Sequence, residues 1–232
     1  MTTALARGLG LGLSRTEAST LARLRTPERI QDFVSALPMN FEPGGDTCRS
    51  VRETLRHRRA HCIEAAFVAA CAIWMAGGEP LLLDFQAVGD DDHVAALVRR
   101  GRCWGAISKS NHVALRWRDP IYRSVRELGM SYVHEYTTEG RKGLRRISRP
   151  YDLRRHAPSD WVTRREDCWD VAIALDASAH VTLVTPRQSR ELRRRDAFER
   201  TSDALVETPP PDGAAGGRVR PCRGGARPGD PR

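Results

Sequence analysis

Residues 62–76, "CIEAAFVAACAIWMA", constrain the fold more than any other stretch. Ile63, Ala66, Phe67, Ala70, Ile73 and Trp74 recur at helical spacing, and alanines fill most positions between them. The helix this spacing predicts is apolar nearly all round. It must therefore be central, with other elements packed on several of its sides. Gly77 and Gly78 supply a C-terminal stop. Arg58, Arg59, Ala60 and His61 lead in, and Cys62 stands at the mouth of the helix. No part of the chain reaches 18 apolar residues in a row, so no membrane-spanning helix and no membrane partner are expected.

After Gly78 the apolar period becomes strand-like. "PLLLDFQAV" reads as buried strand. "HVAALV" and "CWGAIS" flank the polar stretch "RRGR", which contains Gly101 and predicts a β-hairpin with a four-residue loop. "HVALRW" (112–117) reads as a further strand broken by Asp119-Pro120, and "IYRSVRELGMSYVHEY" returns to helical spacing. On the N-terminal side, Ser14 and Glu17 form a capping-box pattern. Pro27 opens a second helix whose stripe is Ile30, Phe33, Val34 and Leu37. Thr47 is the candidate cap of a short helix over "CRSVRETLRHRR". Helix, then antiparallel sheet, then helix gives the α+β class.

The division this predicts is an N-terminal helical segment (1–46), a core (47–140) and a C-terminal extension packing on the core (141–207). In that extension "DWVTRREDCWDVAIALD" reads as loop and short helix, "HVTLVT" as a short strand and "RQSRELRRRDAFERTSDAL" as an exposed helix. Residues 208–232 are so rich in Pro, Gly and Arg that they are expected to be a disordered tail.

The N-terminus, "MTTALARGLGLGLSRTEAS", lacks a strongly positive start, a long apolar region and a small-residue cleavage site. It is not expected to be a signal peptide, which places the chain in the cytoplasm with its thiols reduced. The six cysteines (48, 62, 71, 103, 168, 222) form no CxxC pair, so zinc-ribbon and thioredoxin-like motifs are absent and no cofactor or metal is expected. The net charge of +9 raises the question of nucleic acid. Only Lys109 and Lys142 are lysines, however, and an almost all-arginine basic set points to a GC-rich, bacterial-type genome rather than a phosphate-reading surface. Without a zinc finger, an aromatic ribonucleoprotein motif or a Walker loop, nucleic acid is not expected as the main partner.

The chemistry concentrates on Cys62. A helix N-terminus carries unpaired N–H groups and the positive end of the dipole, both of which favour thiolate over thiol. The same N–H groups suit a developing oxyanion. Such a nucleophile needs a base. His93, opening "HVAALV" at the rim of the sheet, is the first candidate. His61 is nearer in sequence, but adjacent residues point to different sides of a helix start. A third group should orient the imidazole. If Val98 pairs with Cys103 across the loop, His93 sits opposite Ser108 on one face of the sheet, so Ser108 is one candidate. Asn111 needs a bulge to share that face, and Asp119 ends the next run. Asp90, Asp91 and Asp92 read as a solvated turn.

These segments resemble the transglutaminase-like, papain-related superfamily. "RRAHCIEAAFVAACAIWMAGGEPLLL" is similar to its nucleophile segment, and "DDDHVAALVRRGRCWGAIS" to its histidine segment with a Trp on the return strand. The resemblance covers about residues 50 to 120. It implies a central helix packed on an antiparallel sheet and a cysteine hydrolase or acyltransferase acting on a peptide, amide or ester. Cys62 would be the nucleophile and His93 the base. The family's third residue is usually an aspartate a few positions after the Trp, where this chain has Ser108. Asn111, Ser108 and Asp119 therefore stay open as the orienter. Three other readings also stay open: a non-catalytic binding protein on the same fold, a basic nucleic-acid-binding protein, and a metal site made by His61, Cys62 and His93.

Overall fold

The computed structural model describes residues 2–90 and 92–209, so Asp91, Cys222 and the expected tail from residue 210 lie outside the described residues. Helices α1 (Ala4–Gly10), α2 (Arg15–Ala22), α3 (Pro27–Ala36) and α4 (Val51–His57) all pack against α5 (Cys62–Ala76). Eleven of the fifteen α5 residues are buried, as an all-round apolar helix requires. Gly77 ends α5 at φ 99°, a left-handed conformation that glycine adopts without strain. The Ser14–Glu17 capping box and Pro27 at the start of α3 form as expected. The cap of α4 is Ser50 rather than Thr47. The Thr47 hydroxyl is occupied elsewhere, 2.8 Å from Glu64 Oε1.

The sheet contains β1 (Leu81–Ala87), β2 (His93–Arg100), β3 (Cys103–Ile107) and β4 (Arg118–Tyr122). After α6 (Val125–Met130), strands β5 (Thr137–Thr138) and β6 (Arg141–Lys142) make a small separate ribbon. The chain then returns through β7 (Leu144–Ser148), β8 (Tyr151–Asp152), α7 (Pro158–Trp161), α8 (Trp169–Asp176) and β9 (His180–Thr182). Helices α9 (Pro186–Glu191) and α10 (Ala197–Asp203) follow. Among the described residues the main sheet has the order β4-β3-β2-β1-β7-β9, with β8 also on β1, and every pairing is antiparallel. The fold is mixed α+β with an antiparallel sheet.

Several local expectations change. The β2–β3 turn is two residues, Gly101 at φ 59° and Arg102, so Arg100 rather than Val98 faces Cys103. The longer strands also bring Arg99 over the Trp104 ring at 4.7 Å. Residues 113–115 form a 3₁₀ turn, and the strand starts only at Arg118, running through Asp119-Pro120. Proline fits there because β4 is the edge of the sheet, where a missing N–H costs little. Ser124 caps α6, so that helix starts only at Val125, and it ends at Met130. The Arg-rich C-terminal run is two helices, because Thr185 and Asp196 each start a capping box of their own.

Both faces of the sheet are covered. Leu82, Val94, Ala96, Val98 and Ile107 join the α5 side. Leu83, Phe85, Ala95, Leu97 and Ala106 join Leu128, Tyr132, Val133 and Tyr136 on the other. This is why "LLLDF" and "HVAALV" read as nearly continuous apolar runs rather than alternating ones. Trp161, fully buried, closes the α5 side against Phe67 and Trp74, each at 6.0 Å between ring centres.

Candidate active site

Cys62 is the first residue of α5 and is half-buried. The N-cap is His61, whose extended backbone (φ −101°, ψ −168°) precedes the helical geometry. That conformation turns the ring toward the next side chain, and His61 Nδ1 lies 3.9 Å from Cys62 Sγ. The other ring nitrogen, Nε2, is 2.9 Å from the Thr47 carbonyl oxygen. It is also 3.4 Å from Glu42 Oε1 and 3.6 Å from Glu64 Oε1. In the sequence, divergence of neighbouring side chains at a helix start argues against His61. The N-cap is not yet helical, so that rule does not hold there.

Glu64 is the hub behind His61. Its fully buried carboxylate accepts hydrogen bonds from the backbone N–H of His61 (3.1 Å) and Arg49 (3.2 Å), from Asn40 Nδ2 (3.2 Å) and from Thr47 Oγ1 (2.8 Å). The Arg49 guanidinium lies 3.5 Å away. A carboxylate at the third position of α5 also suits the positive end of the helix dipole.

His93 opens β2, is buried, and acts on the Cys62 thiol as a second imidazole. Its ring packs on Phe85, with centres 5.9 Å apart. Its Nε2 is 2.5 Å from Ser108 Oγ. Continued one step beyond β3, the observed register puts Ser108 opposite Ala95, so this contact runs diagonally across the sheet rather than straight across it. Ser108 is itself pinned by α3. Gln31 Oε1 accepts from the Ser108 N–H at 3.0 Å, and Gln31 Nε2 donates to the Ser108 carbonyl at 2.9 Å.

Asn111 is turned elsewhere. Its Nδ2 donates to the Thr208 carbonyl at 2.9 Å, and its Oδ1 accepts from the Thr208 N–H at 3.0 Å. Asn111 therefore holds the chain after α10, and Ser108 occupies the place behind His93. Asp119 is exposed on β4.

Burial alone would raise the Cys62 thiol. The neighbouring imidazoles of His61 and His93, by contact and by charge, outweigh it and bring the thiol down to about 5. Burial works against a charged His61, but the Cys62 contact and the Glu64 and Glu42 carboxylates raise it to about 10. The site thus favours a thiolate–imidazolium pair at the N-terminus of a central helix. Buried Cys71 and Cys168 go the other way, each pushed up to about 12, chiefly by burial.

Among the described residues, the group of three whose ligand atoms lie within 4.8 Å of one another is Asp84, Asp92 and Asp176, not His61, Cys62 and His93. Asp84 already pairs with His180 Nε2 at 3.0 Å, with both side chains buried. A cavity lined by Ile30, Ile73, Ala76 and Leu97 lies at the far end of α5, about 20 Å from Cys62 by helix rise. Among the described residues no helix is long and apolar enough to cross a membrane. No family model matches the chain, and no curated protein is similar enough to it to serve as a relative.

Proposed function

We propose that this chain is a thiol hydrolase or acyltransferase of transglutaminase-like architecture, acting on an amide or ester. The observation that carries the reading is one half-buried thiol at the N-terminus of a central helix, with two imidazoles acting on it. The Cys62 thiolate attacks the acyl carbon and forms a thioester, while the carbonyl electron pair moves onto oxygen. The N–H groups of the first turn of α5, at the positive end of the helix dipole, suit that oxyanion. Collapse expels the amine or alcohol, which takes up a proton, and water or a second amine then resolves the thioester. The imidazoles at the thiol carry the protons as general base and then general acid, with His93 held in place by Ser108.

A non-catalytic binding protein on the same fold is the competing reading. It draws on the neutral hydroxyl, where a carboxylate is expected, behind His93. Turnover of a p-nitrophenyl ester separates the two. The proposal expects measurable turnover that disappears in Cys62→Ala. Turnover that survives this substitution, or a thiol no more reactive than an ordinary surface cysteine, would overturn it.

A further inference from the structure

Two imidazoles approach one thiol, and the hydrogen bonds around them are not equivalent. The partner of His61 Nε2 is the Thr47 carbonyl oxygen at 2.9 Å, which can only accept. Nε2 must therefore carry a proton. In the neutral ring the free lone pair then sits on Nδ1, the atom that faces Cys62 Sγ at 3.9 Å. The tautomer that can take a proton from the thiol is set by the backbone. The partner of His93 Nε2 is a hydroxyl, Ser108 Oγ, which can donate or accept, so that tautomer is not fixed.

The charges are also divided unequally. Two carboxylates, Glu42 and Glu64, stand 3.4 and 3.6 Å behind His61 Nε2. The group bonded to His93 is neutral. We propose that His61, the N-cap of α5, is the base that holds the Cys62 proton, and that His93 with Ser108 serves the later proton transfers. The S–H bond breaks with its electron pair left on sulfur, and the proton forms a bond to His61 Nδ1. The imidazolium is then neutralised by Glu42 and Glu64. On acylation the same proton, held beside the sulfur, passes to the leaving group.

This assignment rests on Cys62 being the nucleophile, and it moves the first proton transfer from the sheet histidine to the helix cap. The groups that face the pair are His93 from β2, Glu64 from α5, and Glu42 and Arg49 from the segment between α3 and α4. Tyr136 senses the thiol charge from beyond α6, and Asp84 on β1 senses His93.

The test is alkylation of Cys62 by iodoacetamide against pH, read at the Cys62 peptide by mass spectrometry, in the full chain. His61→Gln should move the inflection up by about two pH units or more, and His93→Gln by less than about one. His61 is buried, so Glu42→Gln is the companion variant. It keeps the ring and should move the inflection up by a smaller amount, with the folded circular dichroism spectrum unchanged. An inflection that shifts with His93→Gln but not with His61→Gln or Glu42→Gln would overturn the assignment. A wild-type inflection near the free-thiol value of about 8.5 would do so as well. The ester assay on Cys62→Ala reports on the nucleophile independently, so the two ideas fail separately.

Discussion

Removing the Cys62 thiol should cost stability in a way that depends on pH. In the folded chain burial raises the thiol but the two imidazoles lower it more, from 9.0 to about 5. A depressed pKa stabilises the fold fully above the unfolded value, and the contribution is lost as pH falls through the window down to about 5. Each pH unit inside that window is worth about 1.4 kcal/mol. His61 runs the opposite way. Raised from 6.5 to about 10, it contributes fully below 6.5 and loses that contribution as pH rises toward about 10. Between pH 6.5 and 9.0 the two slopes cancel in the wild type, and between 6.5 and about 5 only the thiol slope remains.

In Cys62→Ala, His61 loses the thiol contact that raises it most but keeps the Glu42 and Glu64 carboxylates, and where these hold it charged over the acid limb the variant has no slope of its own there. The stability advantage of wild type over Cys62→Ala should therefore shrink by about 2 kcal/mol from pH 6.5 down to 5. Urea denaturation followed by tryptophan fluorescence at steps of about half a pH unit gives both curves, with an unchanged m value as the check on two-state behaviour. Wild-type and variant curves that run parallel across this limb would refute the thiolate account.

Gln31→Leu should destabilise the fold by about 1–3 kcal/mol in the same denaturation assay, because it strands the buried N–H and carbonyl of Ser108. Asn111→Ala should leave the pH profile of Cys62 alkylation unchanged, yet speed proteolytic cleavage after α10, because it removes both side-chain bonds to Thr208. A shifted thiol profile in Asn111→Ala would return that residue to the role of orienter.

The parts of the fold that were legible in the sequence share a physical reason. Helix α5 is readable because its apolar surface leaves it no place but the centre, and Gly77 marks its end with a backbone that glycine favours. The hairpin was legible as a hairpin but not in register. Spacing alone does not show how tight a turn Gly101 allows, and two extra residues on β2 moved Ser108 from straight across to diagonal. The shared face of His93 and Ser108 survived, because a shift of two residues preserves side-chain parity. Strand β4 was misplaced because Pro120 reads as a breaker unless the strand is known to lie at an edge, which is a property of the whole sheet. His61 is hidden in the sequence because helical geometry begins one residue later, at Cys62. The signal was present as a histidine at the N-cap followed by Glu64 at the third helical position. Glu42 was not legible, since its place beside His61 depends on a loop closing from nineteen residues away.

The central claim is that Cys62 carries the acyl group. The direct measurement is an acid-quench trap. The protein is mixed with a p-nitrophenyl ester, quenched during the first turnovers, and the Cys62 peptide is weighed by mass spectrometry. The account predicts a thioester adduct on Cys62 that forms with release of nitrophenol and decays as turnover proceeds, with no adduct on Cys71 or Cys168. Nitrophenol released with no acyl mass on Cys62, or equal labelling of every cysteine, would contradict it.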